Sequence, residues 1–298
     1  MTVQDAPSPK AVRDAYPQGA PCWIDSARGD PHATAGFYAR LFGWAFEDVL
    51  PDTDPGCYLV ARLQDGDVAA IGSGLDGDPA WNTYVCVTDA AAVAARAARA
   101  GGDVLAGPVP VGDAGRMASV VDATGATVFL WEPGRFGGAQ VVNAPGSWNW
   151  STLRTRDPER AVAFYRDVFG WEAVAVDLGL GTPATMLALP GYGDHLAARE
   201  PGLRERHATE GVPAGFADAI GWLEPMGREQ WGDRVPSHWS VTFAVADVDA
   251  VVARAVGLGG RVVAAPVSLG PARLATIADP DGVAFAVNSY APSAARAN

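Results

Sequence analysis

The sequence predicts an α+β fold of two tandem domains, each a pair of βαβββ units forming a cupped mixed sheet with helices on its convex side. Two internal repeats and a recurring order of short elements carry this prediction. The segment FYARLFGW at 37–44 recurs as FYRDVFGW at 164–171, with five of eight positions identical. GGDVLAGPV at 101–109 recurs as GGRVVAAPV at 259–267, with six of nine identical. Because the blocks keep their order, the chain is a tandem duplication.

The spacing of the repeats predicts the domain boundaries and one insertion. The offset grows from 127 residues for the first pair to 158 for the second, so the second copy carries about 31 extra residues. We expect them within 190–236, which is rich in Gly, Pro and charged residues. The predicted segments are a flexible start at 1–19, a first domain at 20–137, a linker at 138–145, a second domain at 146–292 and a tail at 293–298.

The first unit of copy one is predicted as a strand, a helix and three strands. Trp23–Ala27 is the first strand. Asp30 is a typical N-cap residue, and Pro31 suits the first position of a helix. Gly43 supplies the left-handed residue that ends this helix. The three following strands are expected near 45–49, 57–63 and 68–72.

The second unit repeats this order, and copy two repeats both units. Trp81–Val87 is a strand, and Asp89 caps a helix that ends at Gly101. In copy two, Asp157 and Gly170 bound the first helix, and Asp247 caps the second. The remaining strands are expected near Val104, 116–121 and 127–131 in copy one, and near 239–245, Val262, 273–278 and 283–288 in copy two.

Composition excludes several classes of function. The chain has 34 acidic and 22 basic residues, a formal charge of −12, which disfavours binding to nucleic acid or to anionic membranes. No apolar stretch approaches the length that spans a bilayer, and the N-terminus lacks the apolar segment of a signal peptide. Cys22, Cys57 and Cys86 form no CxxC pair. We expect a cytoplasmic protein whose partner is a small molecule; whether it forms a homodimer stays open.

The paired βαβββ units and the motif FYxxxFGW resemble the vicinal oxygen chelate superfamily, which includes glyoxalase I, extradiol dioxygenases and bleomycin-resistance proteins. The resemblance covers about 20–292. It implies metal ligands, usually His, His and Glu, on the first, fifth and last strands of each domain. Those positions fall on Trp23, Asn82 and Phe129 in copy one, and on Trp150, Ser240 and Ala286 in copy two. Since none of these is His, Glu or Asp, we expect no metal and no other cofactor, with Asp25 and His238 as the nearest alternative ligands.

Alternation along the predicted strands assigns residues to the cups. In Trp239–Val245, Ser240 and Thr242 alternate with apolar residues, and period two directs them into the cup. The expected substrate-binding residues are Trp23, Asn82, Tyr84, Phe129 and Trp131 in the first cup, and Trp150, Thr152, Ser240, Thr242 and Asn288 in the second. The tryptophans would stack on a flat ligand or, alternatively, fill the cup as core.

Four ionisable residues are candidates for catalysis. Asp25 would act as a general acid or base if burial raises its pKa, or else as a hydrogen-bonded structural carboxyl. Arg154 would hold a carboxylate or enolate oxygen, or lie solvated at a strand end. His195 and His207 lie in the expected insertion, which would form a lid over the second cup or an exposed loop.

The favoured hypothesis is a metal-independent isomerase, cyclase or lyase that acts on a hydrophobic, aromatic or polyketide-like molecule. A protein that sequesters a ligand or drug without chemistry is the alternative. A metal-dependent glyoxalase or dioxygenase with ligands at other positions is a second alternative. In a further variant, copy one is structural and only copy two keeps a site.

Overall fold

The computed structural model contains two eight-stranded mixed sheets, one for each copy of the repeat, and confirms the predicted fold class. It describes residues 16–51, 53–74, 79–177, 183–199, 202–209, 215–232 and 234–290. Both sheets have the same strand order, in which the first and fifth strands of a copy are central neighbours. No helix of the described segments is long and apolar enough to cross a membrane.

The first sheet has the order β2-β3-β4-β1-β5-β8-β7-β6. Its strands are β1 (Pro21–Arg28), β2 (Ala45–Asp48), β3 (Tyr58–Leu63), β4 (Gly66–Ser73), β5 (Trp81–Cys86), β6 (Asp103–Val111), β7 (Gly115–Val121) and β8 (Thr127–Pro133). Helix α1 (Pro31–Phe42) follows β1, and α2 (Ala90–Arg99) follows β5.

The second sheet has the order β10-β11-β12-β9-β13-β16-β15-β14. Its strands are β9 (Trp148–Thr155), β10 (Glu172–Val176), β11 (Ala184–Ala188), β12 (Ala219–Pro225), β13 (His238–Ala244), β14 (Arg261–Leu269), β15 (Ala272–Ala278) and β16 (Ala284–Tyr290). Its helices are α3 (Pro158–Phe169), α4 (Tyr192–Arg199), α5 (Leu203–Thr209), α6 (Arg228–Trp231) and α7 (Val248–Gly257).

The first helices of the two copies begin and end in the same way. Asp30 and Asp157 each accept a hydrogen bond from the amide three residues on, which satisfies a free N–H of the first turn. Gly43 and Gly170 have φ of +79° and +78°, a left-handed conformation that side chains disfavour. The same local chemistry therefore places both helices against their sheets.

The two large hydrophobic cores are both shared between the two copies. The first unit of copy one packs with the second unit of copy two, with Phe42 contacting Phe243 at 5.0 Å between ring centroids. The other core joins the second unit of copy one to the first unit of copy two. At the centre, the hydroxyl groups of Thr83 and Ser151 lie 2.7 Å apart, on strands of different sheets. The copies thus form one packed body.

Two connections differ from simple loops. The segment 134–141, which we call the strap, includes the start of the expected linker and crosses the first sheet. In it, the amide of Ala139 donates to Cys22 O at 2.8 Å and that of Gln140 to Asp67 O at 2.7 Å. The second is the β11–β12 connection, which carries α4 and α5 where copy one has only a tight hairpin. Strand β12 itself lies inside the stretch 190–236 expected to be an insertion.

Candidate functional site

We call the face of each sheet opposite its helices a cup. The first cup centres on Asp25, which is buried. Its Oδ1 accepts a hydrogen bond from Asn82 Nδ2 at 2.8 Å, and its Oδ2 accepts from the hydroxyls of Tyr58 at 2.9 Å and Tyr84 at 2.7 Å. Trp23 Nε1 in turn donates to the hydroxyl of Tyr58 at 3.0 Å. The protein itself therefore supplies Asp25 with three donors.

Burial is the main cause of the shifted pKa values in this network. Desolvation raises the pKa of Asp25 above its ordinary range, although the hydrogen bonds from Tyr84, Asn82 and Tyr58 work in the opposite direction. Desolvation and the adjacent Asp25 charge raise the pKa of the Tyr58 and Tyr84 hydroxyls well above normal. Both tyrosines therefore stay protonated and remain donors to the carboxyl at neutral pH.

The strap closes the first cup. Phe136 packs edge-on against Trp23, with 4.8 Å between ring centroids, and lies 6.0 Å from Trp131. Trp131 Nε1 donates to Phe136 O at 2.9 Å. Trp23 is only 3 % exposed and Trp131 7 %. The two tryptophans therefore belong to packed interior, which leaves their faces unavailable to a stacking ligand.

The second cup contains an aromatic corner, which we define as Trp150, Trp222 and Phe216. Trp150 lies 5.9 Å from each of the other two rings, and the angles between the ring planes are 70–78°. All three are only partly buried. They pack against a small apolar cluster that includes Val176 and Met186 and is separate from both shared cores.

Smaller residues widen the second cup. Ala286 pairs with Thr242 as Phe129 pairs with Tyr84 in the first sheet, so an alanine stands where copy one has a phenylalanine. By the same register, Asn288 takes the place of Trp131. The second sheet therefore has partly exposed aromatic rings where the first has a filled interior.

Arg154 forms the polar end of the second cup. Its Nε donates to Glu224 Oε2 at 2.9 Å and its Nη1 to Ser240 Oγ at 2.6 Å. The guanidinium group also lies over the ring of Trp231, 5.3 Å from the centroid, in cation–π geometry. These contacts hold the cation in a fixed orientation beside the cup.

His238 lies opposite Arg154 in the register of β13 with β9. Its Nδ1 is 2.9 Å from Pro236 O, and because a carbonyl can only accept, Nδ1 carries the proton of the neutral ring. Burial lowers the pKa of His238 below its usual value, and nearby Arg154 lowers it further. The imidazole is therefore neutral at pH 7, with Nε2 as an available base.

The structure separates several residues that the sequence grouped as catalytic candidates. Asp25 and Arg154 lie in different cups, so they do not act on one ligand together. His207 lies 6.4 Å from Phe216 and so reaches the edge of the aromatic corner. His195 instead stacks with Tyr192, which packs against a shared core.

The predicted binding residues divide in the same way. Trp23, Asn82, Tyr84, Phe129 and Trp131 surround Asp25 in the closed first cup. Trp150 and Ser240 are partly buried on the cup face of the second sheet. Thr152 and Thr242 are buried on its strands, and Asn288 donates to Asn149 Oδ1 at 2.8 Å.

Sequence reasoning missed Trp222, Phe216, Glu224 and Trp231 as site residues, because they fall in the stretch assigned to an insertion. A signal was present in AIGWLEP at 219–225, where Trp222 and Glu224 alternate with Gly221 and Leu223 as on a strand. The first cup also holds two unpredicted residues, Tyr58 and Phe136.

The residues at the expected metal positions do not fit a divalent ion. The positions on the first, fifth and last strands carry Trp23, Asn82 and Phe129 in one cup, and Trp150, Ser240 and Ala286 in the other. Asp25 is the nearest acid, and its oxygens are occupied by three donors. Across the described segments, no group of three His, Cys, Asp or Glu side chains could hold a metal.

Comparisons with known proteins agree with this architecture. The model of the Glyoxalase/Bleomycin resistance protein/Dioxygenase superfamily matches residues 147–287. CFP32 of Mycobacterium tuberculosis, whose name assigns it provisionally as a glyoxylase, is 35 % identical over 286 residues, covering 94 % of this chain and 98 % of that protein.

Two further comparisons bear on relatives and fold. The anthracycline biosynthesis protein DnrV of Streptomyces peucetius is 34 % identical over 293 residues, covering 91 % of this chain and 94 % of that protein. The Mn(II)-bound glyoxalase of Novosphingobium aromaticivorans superposes with a TM-score of 0.57 at 14 % identity, covering 91 % of this chain and 82 % of the other. The structural likeness shows the fold alone.

Proposed function

The chain belongs to the glyoxalase/bleomycin resistance protein/dioxygenase superfamily, and from this premise we propose that it binds a flat, largely apolar small molecule in its second cup. The observation that carries the proposal is the aromatic corner. Trp150, Trp222 and Phe216 are partly exposed, they pack against an apolar cluster, and Arg154 lies on the same face of β9 as Trp150. Apolar walls with a few placed polar groups are typical of small-molecule sites.

A ligand with fused aromatic rings suits this surface. The rings of the aromatic corner meet at steep angles, so a flat molecule can stack on one and meet the edge of another. The relative DnrV is named for anthracycline biosynthesis, and anthracyclines contain fused rings that carry carbonyl and phenol oxygens. Arg154 would hold one such oxygen.

We further propose proton-transfer chemistry, in the class of isomerisation, cyclisation or elimination. His238 Nε2 would take a proton from a carbon beside a carbonyl, and Arg154 would stabilise the resulting enolate oxygen. Return of that proton to another atom of the ligand completes an isomerisation. His238 and Arg154 are cross-strand partners, so the base and the cation flank the same part of the cup.

Sequestration without chemistry is the second candidate. The observation that favours it is that Arg154 already donates to Glu224 and Ser240, so part of its hydrogen-bonding capacity is used before any ligand arrives. A protein of this kind needs only the stacking surface of the aromatic corner.

Binding is tested by titrating the protein with quinizarin, a flat dihydroxyanthraquinone, and following calorimetric heat and tryptophan fluorescence. Loss of one stacking surface in Trp222→Ala should weaken binding by about tenfold. Phe136→Ala, which opens the first cup instead, serves as the matched control and should leave the affinity unchanged. Loss of binding only in the control would place the ligand in the first cup and overturn the proposal.

Chemistry is tested separately with β-tetralone, an aryl-fused ketone with acidic C–H bonds. In heavy water, the protein should accelerate deuterium incorporation beside the carbonyl, as followed by NMR. His238→Gln should remove the acceleration without removing quinizarin binding. Binding without any accelerated exchange would favour sequestration over proton transfer.

A further inference from the structure

The two copies meet at a pair of equivalent junctions that are filled differently. At the first, the end of β1 and the start of α1 face the β15–β16 turn. Arg28, 1 % exposed, occupies this junction. Its Nη2 lies 3.0 Å from Asp279 Oδ2 and its Nη1 3.6 Å from Asp281 Oδ2. The chain thus supplies its own guanidinium group to the acids of the turn.

At the second junction, the end of β9 and the start of α3 face the β7–β8 turn. The first repeat offset of 127 places Thr155 where the first junction has Arg28. Aligning the turn DATG at 122–125 with DPDG at 279–282 places Thr124 where the first junction has Asp281. Equivalent backbone bonds confirm the match, since Gly74 N donates to Arg28 O and Met226 N donates to Thr155 O. The short side chains leave this junction without a central guanidinium.

A cavity of about 360 Å³ lies at this second junction. Its lining includes Thr124, Arg156, Asp157, Arg160, Arg234 and Ser237. The volume is within the range of small-molecule sites. Asp157 and Arg160 of the lining belong to the start of α3, so the cavity lies on the helix side of the sheet and the second cup on the other side.

The lining is positively charged in an otherwise acidic protein. Three arginines and one aspartate give it a formal charge of +2, against −12 for the chain. Arg160 and Arg234 have no ion-pair or hydrogen-bond partner for their guanidinium groups among the described residues. Arg156 is fixed at the rim by donating to the carbonyls of Gly232 and Val235. Two cations therefore remain available.

The one acid of the lining does not neutralise them. Asp157 is the N-cap of α3, and its Oδ1 accepts from the amide of Arg160 at 3.0 Å. Its role is therefore local, at the first turn of the helix. Guanidinium groups pair with oxyanions through two parallel hydrogen bonds, and three of them around one cavity suit a dianion.

We propose that this cavity binds the phosphate group of a small phosphorylated molecule. Arg160 and Arg234 hold the phosphate oxygens, and Arg156 adds a third positive charge at the rim. The site is independent of the second cup, because it lies behind β9 and uses none of the residues of the aromatic corner.

The test is calorimetric titration with inorganic phosphate and with glycerol phosphate at constant ionic strength. Both should bind to the intact protein. The double variant Arg160→Gln/Arg234→Gln should bind both with an affinity lower by about tenfold or more. Arg166→Gln, which removes an exposed arginine of the same helix that pairs with Asp167, should bind both as the unaltered protein does.

Three outcomes would overturn the proposal: no phosphate binding by the unaltered protein, equal binding by the double variant, or equal binding of acetate. The last would show a site for any small anion. Quinizarin binding, measured on the same variants, should be unchanged and shows that they are folded. If the unaltered protein does not bind quinizarin, this result would count against the second-cup proposal alone.

Discussion

Asp25 and Thr152 occupy equivalent positions in the two sheets, and their surroundings show how differently the cups are used. Asp25 is held by three donors in the cup where Phe136 packs against Trp23, whereas Thr152 is a small residue beside the partly exposed Trp150 and Trp222. A buried carboxyl with satisfied oxygens specifies packing. Asp25, the carboxyl whose pKa is raised by burial, therefore has a structural role.

The raised pKa of Asp25 makes its contribution to stability depend on pH. The folded state binds a proton more tightly than the unfolded chain, so the free energy of unfolding falls as pH rises from the unfolded pKa through the folded one. Asp25→Asn should lack this fall. It should also destabilise the protein by about 1–3 kcal/mol, because an amide cannot accept from all three donors.

Urea unfolding between about pH 4 and pH 7 measures this difference. Asp249→Asn is the control, because Asp249 should show the opposite pH dependence. Arg273 lowers the pKa of Asp249, so the Asp249 carboxylate stabilises the protein above its unfolded pKa, and this stabilisation is lost as pH falls. Parallel pH dependences in the unaltered protein and Asp25→Asn would show that the Asp25 carboxyl is not perturbed.

His238 makes a second prediction at the residue scale. Since burial lowers its pKa, the proposed base is neutral over a wider pH range than an exposed histidine. The rate at which the protein incorporates deuterium into β-tetralone should rise with pH. It should reach half its maximum below about pH 6.5 and be level by about pH 7. A midpoint above pH 7 would assign the base to another group.

At the scale of elements, the strap is the feature that closes one cup. It includes Gly138, with φ of +114°, where an added Cβ would lie 2.4 Å from Cys22 O. Glycine is required there by both backbone conformation and space. The short distance reflects the hydrogen bonds that bring the strap against β1.

Gly138→Ala should therefore destabilise the protein by about 2–4 kcal/mol, as seen by chemical unfolding. Gly125→Ala is the matched control, because Gly125 has φ of +99° but nothing within 4 Å of an added Cβ. Gly125→Ala should lower the free energy of unfolding only by the cost of backbone strain, about 1 kcal/mol. Equal losses in both variants would mean that the strap can shift away from Cys22 without cost.

The elements with local signals were predictable from the sequence, and the site was only partly so. Asp30, Gly43 and their counterparts Asp157 and Gly170 fixed the helix bounds, because caps act over a few residues. Trp150 and Ser240 followed from strand alternation. Trp222 and Phe216 did not, because no equivalent residues in copy one marked their stretch as part of the sheet. The closing of the first cup by Phe136 is a long-range contact without any local signature.

At the scale of the whole molecule, the shared cores predict that neither copy folds alone. Each copy contributes one of its two units to each of the two shared cores. Residues 1–141 and 142–298, expressed separately, should give aggregated or unfolded chains, whereas their co-expression should give a complex that elutes as the intact protein does. The intact chain should unfold in one transition by circular dichroism and by tryptophan fluorescence. A separately expressed half with a cooperative transition would contradict this.

The buried ion pair at the first junction gives a second prediction for the whole molecule. Arg28→Met should leave Asp279 buried without its cation and destabilise the protein by about 3–5 kcal/mol. Arg135→Met, in the exposed pair with Asp113, should change stability little. Double replacement of Arg28 and Asp279 by apolar residues should recover much of the loss. Without such recovery, Arg28 would act through packing rather than through its charge.

The crosswise sharing of cores has a consequence for how this molecule can change over time. Two identical subunits that meet in this way must alter both of their binding faces whenever a codon changes. Once the two are joined in a single chain, each face is encoded separately. One copy can then become a rigid, filled domain that supports the other. The other copy can accept new residues and a new opening while the shared cores keep both copies folded.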